Sequence, residues 1–478
     1  MWRPFGRELE RRLMRLSCWI LVAVALLPLS AFAEDAGKPN IVFIIADDLG
    51  YGDLGCYGQQ KIQTPNLDRM AAEGVKFTDA YAGTTVCAPS RCILMTGQHG
   101  GHARVRSNAP IPLEPEDVTI AEVMKDAGYD TALMGKWALG WEGWPSNPNN
   151  EGFDYFFGYL DNGHAHNHYP TWLWLNDGRK EIEGNTEKAP GVCGECRHYA
   201  DDLFAQDAVR YIKEPRERPF FLYFAPIAPH ANNERFALEG NGMETPGRGA
   251  YADKDWPDQQ KGHAQMITLL DGHVGQILDA LRETGQDRNT IVFFTSDNGP
   301  LHEGGALHDF FDSNGPFQGY KRSLHDGGIR TPLIAWGPGR ITPGTTTSHV
   351  CAFWDVLPTL AELGGGKAPD NTDGISFAPT LLGREGQRQH EWLYWEFHEG
   401  GFYQAIRAGQ WKAIRNNLRE IALFNLHTDI GEEHDIADQH PEIVAQMLAR
   451  FESARTPAER YEPKPRPKPR SERAEPTR

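Results

Sequence analysis

The hydrophobic pattern alternates between two periods along most of the chain. Asn40 to Ala46 is continuously apolar and β-branched, the signature of a strand buried on both faces. Val75 to Ala82, Asp130 to Met134, Pro219 to Phe224, Asn289 to Thr295 and Pro332 to Trp336 read as further strands. Between them lie helical segments. Thr64 caps a helix with Pro65 in its first position and Gly74 at its end, and Thr119 caps another that stops near Gly128. Asp202 to Glu214 places Phe204, Ala208, Tyr211 and Ile212 on one face. Met266, Leu269, Leu270, Val274, Ile277 and Leu281 mark a long helix, and Asp355 to Leu363 a further one. This alternation predicts an α/β fold with a large, mostly parallel sheet sandwiched by helices.

The pattern changes after about residue 385. Trp392–Glu396, Gln404–Arg407, Trp411–Arg415 and Ala422–Asn425 read as short antiparallel strands, with a tight turn at Gly409-Gln410 and a closing helix from Pro441 to Ala454. The expected organisation is a signal peptide over 1–33, an α/β catalytic domain over 34–385 and a C-terminal α+β subdomain over 386–460. A basic, Pro-rich disordered tail over 461–478 follows.

Composition narrows the class. Hydrophobic content of 40% and charged content of 24% are those of a globular protein. A net charge of −17 argues against a general nucleic-acid binder, yet leaves room for a local cationic pocket. The basic start through Arg15, the apolar run Cys18 to Leu29 and the small-x-small Ala31-Phe32-Ala33 read as a cleaved secretory signal. The run is shorter than the roughly 20 residues of a membrane span. A periplasmic or secreted protein without a stable membrane anchor is expected, its mature chain starting near Glu34. In an oxidising compartment Cys193 and Cys196 suit a small local disulfide, with a metal clip or redox pair as the alternatives.

Candidate chemistry gathers at strand ends, where open α/β sheets place their sites. Asp47-Asp48 follows the first strand, and two adjacent carboxylates there call for a cation or donors, or else form a solvated loop pair. Ser296-Asp297-Asn298-Gly299 repeats the pattern. Together they offer an all-oxygen set suited to calcium, with magnesium the lesser alternative, rather than zinc. Cys87-Ala88-Pro89-Ser90-Arg91 opens a short helix, whose N-terminus favours an anion or nucleophile, though a buried packing cysteine fits the same stretch. Lys136 leaves a strand end, His230 follows Ala228-Pro229, and Lys321 lies in a Gly-rich loop before Arg330. His164, His166 and His168 alternate, which on an extended segment sets them on one side, as a substrate-facing or a plain surface loop. Tyr169, Trp172 and Trp174 suit either stacking on a sugar ring or core packing.

These motifs, in this order from Pro39 to about Ala454, resemble the type I sulfatases, the arylsulfatase A-like branch of the alkaline phosphatase superfamily. The carrying segments are Asp47-Asp48-Leu49-Gly50, Cys87-x-Pro-x-Arg91 with Leu94-Met95-Thr96-Gly97, and Gly135-Lys136-Trp137. Ala228-Pro229-His230, Ser296 to Gly299, and Lys321 with Gly327-Gly328-Ile329-Arg330 complete the set. The resemblance implies that a maturase oxidises Cys87 to formylglycine, whose hydrate attacks sulfur and then expels sulfate. A plain serine would stop at a stable sulfate ester. It implies calcium held by Asp47, Asp48, Asp297, Asn298 and the residue-87 oxygen. Arg91 would then hold the hydrated aldehyde, Lys136 and Lys321 the sulfate oxygens, and His230 would protonate the leaving alcohol. The Tyr51 to Gly58 segment resembles galactosamine-6-sulfatase relatives as well, which implies a sulfated glycan or small molecule as partner.

One position departs from the family pattern. Ala138 follows Trp137 where the family often carries His, the usual base for sulfate elimination. His164 or His166 is the expected substitute, with water or Asp297 as the other candidates. Two competing readings share the motifs: a phosphonate monoester or phosphodiester hydrolase of the same superfamily, and a sulfated-glycan binder that has lost turnover.

Overall fold

Residues 37–462 are described by the structure, a computed structural model. The expected signal peptide and the Pro-rich stretch from residue 463 lie outside the described residues. Ten strands form the main sheet: β1 (Asn40–Ala46), β2 (Val75–Phe77), β3 (Asp130–Lys136), β4 (Tyr155–Tyr159), β5 (Trp172–Leu175), β6 (Gly178–Glu181), β7 (Phe220–Ala225), β8 (Thr290–Ser296), β9 (Leu333–Trp336) and β10 (Thr345–Thr347). Their order across the sheet is β10-β2-β9-β8-β1-β7-β3-β4-β5-β6. The central strands β8, β1, β7, β3 and β4 run parallel, and antiparallel β9 and β5 flank them. Alternate residues of β1 face two cores: Ile41, Phe43 and Ile45 pack on one side, Val42, Ile44 and Ala46 on the other. Covered on both faces, the strand can be apolar throughout.

Several helices match the sequence reading. Thr119 closes a reciprocal capping box with Glu122 ahead of the helix Ile120–Asp126. The long helix starts at Asp258, earlier than its apolar stripe begins, and runs to Glu283. The stretch Val75 to Ala82 is not one strand, however. It breaks after Phe77, because Asp79 is drawn to Arg330 and Arg407 at 2.9 Å each, and Ala80–Tyr81 then pairs in a separate two-stranded sheet. Ahead of the histidine run, the aromatic segment after Glu151 contributes β4, which extends the parallel sheet.

The C-terminal unit is a four-stranded antiparallel meander, β11 (Leu393–Phe397), β12 (Tyr403–Ala408), β13 (Trp411–Asn416) and β14 (Ile421–Asn425). Its period of two divides its apolar residues. Tyr394, Ile406, Ala413 and Leu423 meet Met447 and Phe451 of the helix Pro441–Ser453. Trp395, Ala405, Ile414 and Phe424 join the same core as Ile41 and Phe43. Polar ties reinforce this docking. Trp395 Nε1 donates to the Ala82 carbonyl at 3.0 Å, and Thr84 Oγ1 donates to the Glu396 carbonyl at 3.0 Å. The meander therefore braces the chain just ahead of Cys87. Cys193 and Cys196 form the expected disulfide. No helix among the described residues is long and apolar enough to cross a membrane.

Candidate active site

Four adjacent parallel strands deliver their carboxyl ends to one place. Asp47-Asp48 follows β1, Lys136 ends β3, the turn to His230 follows β7, and Asp297-Asn298 follows β8. The helix Cys87–Thr96 points its N-terminus at the same spot. Its end is set by Gly97, whose φ of 66° suits the left-handed C-cap and whose Cα packs where a Cβ would lie 2.9 Å from Thr372. Asp48 itself holds φ 66°, a left-handed conformation disfavoured for a residue with a Cβ. Its carboxylate thereby meets two partners: Asn298 Nδ2 donates to it at 2.8 Å and Lys321 Nζ at 2.7 Å.

Cys87 Sγ lies 3.3 Å from Asp47 Oδ1 and donates to it, while Lys136 Nζ is 2.6 Å from the other Asp47 oxygen. Arg91 Nε donates to Asp297 at 3.0 Å and Nη1 to the Lys136 carbonyl at 3.0 Å. Asp297 also accepts the Asp48 backbone N–H at 3.1 Å. Lys321 Nζ reaches His230 Nε2 at 3.2 Å and Glu303 at 2.5 Å. All of the sequence-designated residues from Asp47 to Lys321, the two histidines His164 and His166 apart, thus share one buried network.

The charges hold one another in place. Burial would raise the Asp47 carboxyl, yet Lys136, Arg91 and Lys321 outweigh it and keep it well below the usual range. Asp297 is pushed up to about 7 by burial and by the neighbouring Asp47. The Cys87 thiol is driven well above its ordinary value by burial and by Asp47, so it stays protonated and is a poor nucleophile as it stands. Burial and Lys321 hold His230 neutral. Its Nδ1 lies 2.7 Å from the Ala231 carbonyl and donates to it, which leaves Nε2 as the acceptor facing Lys321.

The same residues suit a hard cation. Asn298 gives its amide hydrogens to Asp48 and to the Gly299 carbonyl, and its Oδ1 is buried with no hydrogen-bond partner. A buried acceptor left alone beside three carboxylates is the arrangement a cation satisfies. Asp47, Asp48, Cys87 and His230 offer ligand atoms within 4.8 Å of one another.

The histidine run is not extended. His164–His166 forms a 3₁₀ turn, which sends its members in different directions. His164 packs between Tyr159 and Trp172, with ring centroids at 4.9 and 4.2 Å, away from Cys87's partners. His166 stacks in parallel on His230 at 4.9 Å, and its Nδ1 meets Glu234 at 3.1 Å. His168 Nε2 donates to the His230 carbonyl at 2.8 Å. Sugar stacking does not fit Tyr169 or Trp174. Tyr169 packs with Cys193 and Tyr199, Trp174 belongs to the main core, and Trp172 is covered by His164 and Arg179. Ala138 sits buried at φ 69° just past Lys136.

Sequence reasoning missed three supports. Glu303 pairs with Lys321, Ser296 Oγ accepts the Leu49 N–H at 2.9 Å, and Asp201 accepts the Ile227 and Ala228 N–H groups at 2.9 and 3.0 Å, which fixes the His230 turn. The adjacency of Ser296 to Asp297 was a usable signal. Asp201 and Glu303 had none, because their partners are 26 and 18 residues away in irregular segments.

Comparison with known proteins gives a consistent picture. The family model described as Sulfatase matches residues 39–366, and one described as N-sulphoglucosamine sulphohydrolase, C-terminal, matches residues 311–456. The chain is similar to arylsulfatase A of Homo sapiens, 36% identical over 426 residues that cover 81% of this chain and 77% of that protein. It is similar to N-acetylgalactosamine-6-sulfatase of Mus musculus, 34% identical over 427 residues, 82% of this chain and 75% of that protein. Among solved structures, Ps i-CgsB in complex with k-i-k-neocarrahexaose superposes with a TM-score of 0.72 at 30% identity, covering 87% of this chain and 92% of that one.

Proposed function

Because this chain belongs to the sulfatase family and is, with it, a sulfuric ester hydrolase, we propose that it removes sulfate from sulfated carbohydrates outside the cytosol. The reaction uses a formylglycine made from Cys87 by a maturase, beside a calcium ion. One observation carries this reading. Cys87 is a buried thiol at a helix N-terminus, 3.3 Å from Asp47, with Lys136, Arg91 and Asp297 in the same network. A thiol so placed is idle unless it is converted. The names of the relatives, galactosamine-6-sulfatase among them, and a sulfated-glycan hexaose in a superposable structure support the substrate class.

Asp47, Asp48, Asp297 and Asn298 would hold calcium together with the residue-87 oxygen. When bound, the ion supplies charge that lowers a hydroxyl pKa and polarises a sulfate oxygen. The converted residue supplies two hydroxyls on one carbon, so that sulfate accepted by one can be expelled by the other. Lys136 and Lys321, each held at an aspartate, place positive charge where sulfate oxygens gain negative charge. Arg91 acts from behind: its contacts to Asp297 and the Lys136 carbonyl orient both groups toward residue 87. His230 Nε2 faces the site beside Lys321, and once it has taken up a proton in the substrate complex it gives that proton to the alcohol oxygen as the bond to sulfur breaks.

The missing His at position 138 leaves the proton of the second hydroxyl to be removed. Of the two candidate substitutes, His166 is the one beside the site, stacked on His230 and oriented by Glu234. His166→Ala is expected to slow sulfate release about 10²-fold, with the alcohol still appearing as an initial burst. His164→Ala is expected to leave the ratio of alcohol to sulfate at its wild-type value. Equal rates of sulfate release in wild type and His166→Ala would discard the assignment.

Steady-state hydrolysis of N-acetylgalactosamine 6-sulfate and 4-nitrophenyl sulfate, read as sulfate, against a 4-nitrophenyl phosphonate monoester, read as 4-nitrophenol, tests the function itself. The expected order puts both sulfates above the phosphonate. A faster phosphonate would reverse the reading.

A further inference from the structure

We propose that the cleft lined by His302 and Tyr320 beside Lys321 is a sugar-binding subsite, which takes the pyranose ring that carries the scissile sulfate. The inference rests on the sulfatase reading above and assigns the part of the substrate that is not sulfate.

The cleft is about 400 Å³ and is lined by His302, Glu303, Tyr320, Lys321 and Arg322. It is continuous with the network at residue 87. Lys321 and Glu303 belong to both, and the Arg322 backbone N–H donates to the Thr85 carbonyl at 3.0 Å, two residues before Cys87. Arg322 holds φ 73° and Gly319 φ 86°, so the chain doubles back sharply around Tyr320 and turns its ring outward. Tyr320 is 38% exposed, unusual for a large aromatic that already has partners. Its ring rests on His302 at 5.0 Å and on His308 at 4.5 Å. The Tyr320 ring is tilted by 31° against His302 and 39° against His308, and its exposed surface beside polar groups is the kind that a sugar's C–H face and hydroxyls require.

The hydrogen bonding at the rim is directional. His308 Nε2 lies 2.9 Å from Asp309, which makes that nitrogen the donor. His308 Nδ1 is then the acceptor of the 2.8 Å contact with His302 Nδ1. His302 therefore carries its proton on Nδ1, and its Nε2 is left as a bare acceptor. Glu303 provides a carboxylate acceptor on the same wall, its position fixed by Lys321. Two acceptors next to the Tyr320 ring suit hydroxyl donors on adjacent sugar carbons, not a second anion.

Steady-state kinetics on N-acetylgalactosamine 6-sulfate, galactose 6-sulfate and 4-nitrophenyl sulfate test the assignment in the full-length, matured protein. Tyr320→Ala is expected to raise KM for the sugar sulfates about tenfold, with the smaller part of the loss in kcat, and Tyr320→Phe to restore the wild-type KM. His302→Ala is expected to raise the same KM severalfold. The subsite is overturned if KM for the sugar sulfates is unmoved in Tyr320→Ala and His302→Ala. It is overturned equally if Tyr320→Phe fails to rescue, or if the wild type hydrolyses 4-nitrophenyl sulfate but neither sugar sulfate. Absence of sulfate release from all three esters would instead contradict the sulfatase reading on which the subsite rests.

Discussion

Cys87→Ser, produced without a maturase, is expected to release one equivalent of alcohol from a sulfate ester and then stop. The serine hydroxyl occupies the position where Cys87 Sγ now lies 3.3 Å from Asp47, within reach of the same lysines and of His230. Attack at sulfur therefore keeps its electrostatic support. The second half of the cycle does not, since a serine sulfate has no second hydroxyl on its carbon from which to collapse. Turnover measured as sulfate is expected to fall by at least about 10⁴-fold, the scale of losing a nucleophile that works as part of a unit. Ion chromatography of sulfate alongside the alcohol burst separates the two halves. Continued sulfate release by the serine protein would show that the aldehyde is not needed.

The second large effect concerns stability. Lys412 on β13 is fully buried, with its Nζ 2.6 Å from Asp326 and 2.9 Å from Glu432. Asp326 belongs to the short turn Asp326–Ile329 that follows the Lys321 loop, so this cation ties the C-terminal meander to the catalytic side. Burial would raise the Asp326 carboxyl, but Lys412, Arg330 and Arg407 hold it far below the ordinary range. Lys412→Met removes the cation shared by two buried carboxylates. It is expected to cost about 3–5 kcal/mol, read as a lower denaturant midpoint at unchanged m. A midpoint equal to that of the wild type would mean that the apolar contacts of Trp395, Ala405 and Ile414 alone dock the meander. Asp326 also carries a pH signature. Its depressed pKa stabilises the fold above the unfolded carboxylate value, and that contribution is lost as pH falls toward the folded one.

Strand β1 and the sites at its end were legible because one chemical signal covered both. Seven apolar residues require burial on two faces, and two carboxylates directly after them require cations. Asp297-Asn298, Lys136 and His230 were readable for the same reason, each lying at or just beyond the end of a buried strand. The meander showed in its period of two, and Gly409 does sit in a left-handed turn between β12 and β13. The failures share a different cause. The break after Phe77 depends on Asp79 meeting two arginines more than 200 residues away, which no local pattern encodes. A strand's period does not hold in the histidine run, because the chain turns there: His166 stacks on the His230 ring, His168 reaches only its carbonyl, and His164 packs between Tyr159 and Trp172. Trp174 was ambiguous between core and ligand until β5 was seen to lie inside the main sheet. Glu303 and Tyr320 lie in irregular segments, and Asp201, in the first turn of the helix Ala200–Lys213, meets its partners in one, where spacing carries no geometric information.

Whether Cys87 is the precursor of the nucleophile is decided by the mass of the residue-87 peptide from protein that releases sulfate. Loss of H₂S and gain of one oxygen relative to the cysteine peptide are expected, the change that turns a CH₂–SH side chain into an aldehyde. An active preparation whose residue-87 peptide carries only the unmodified thiol would contradict that role.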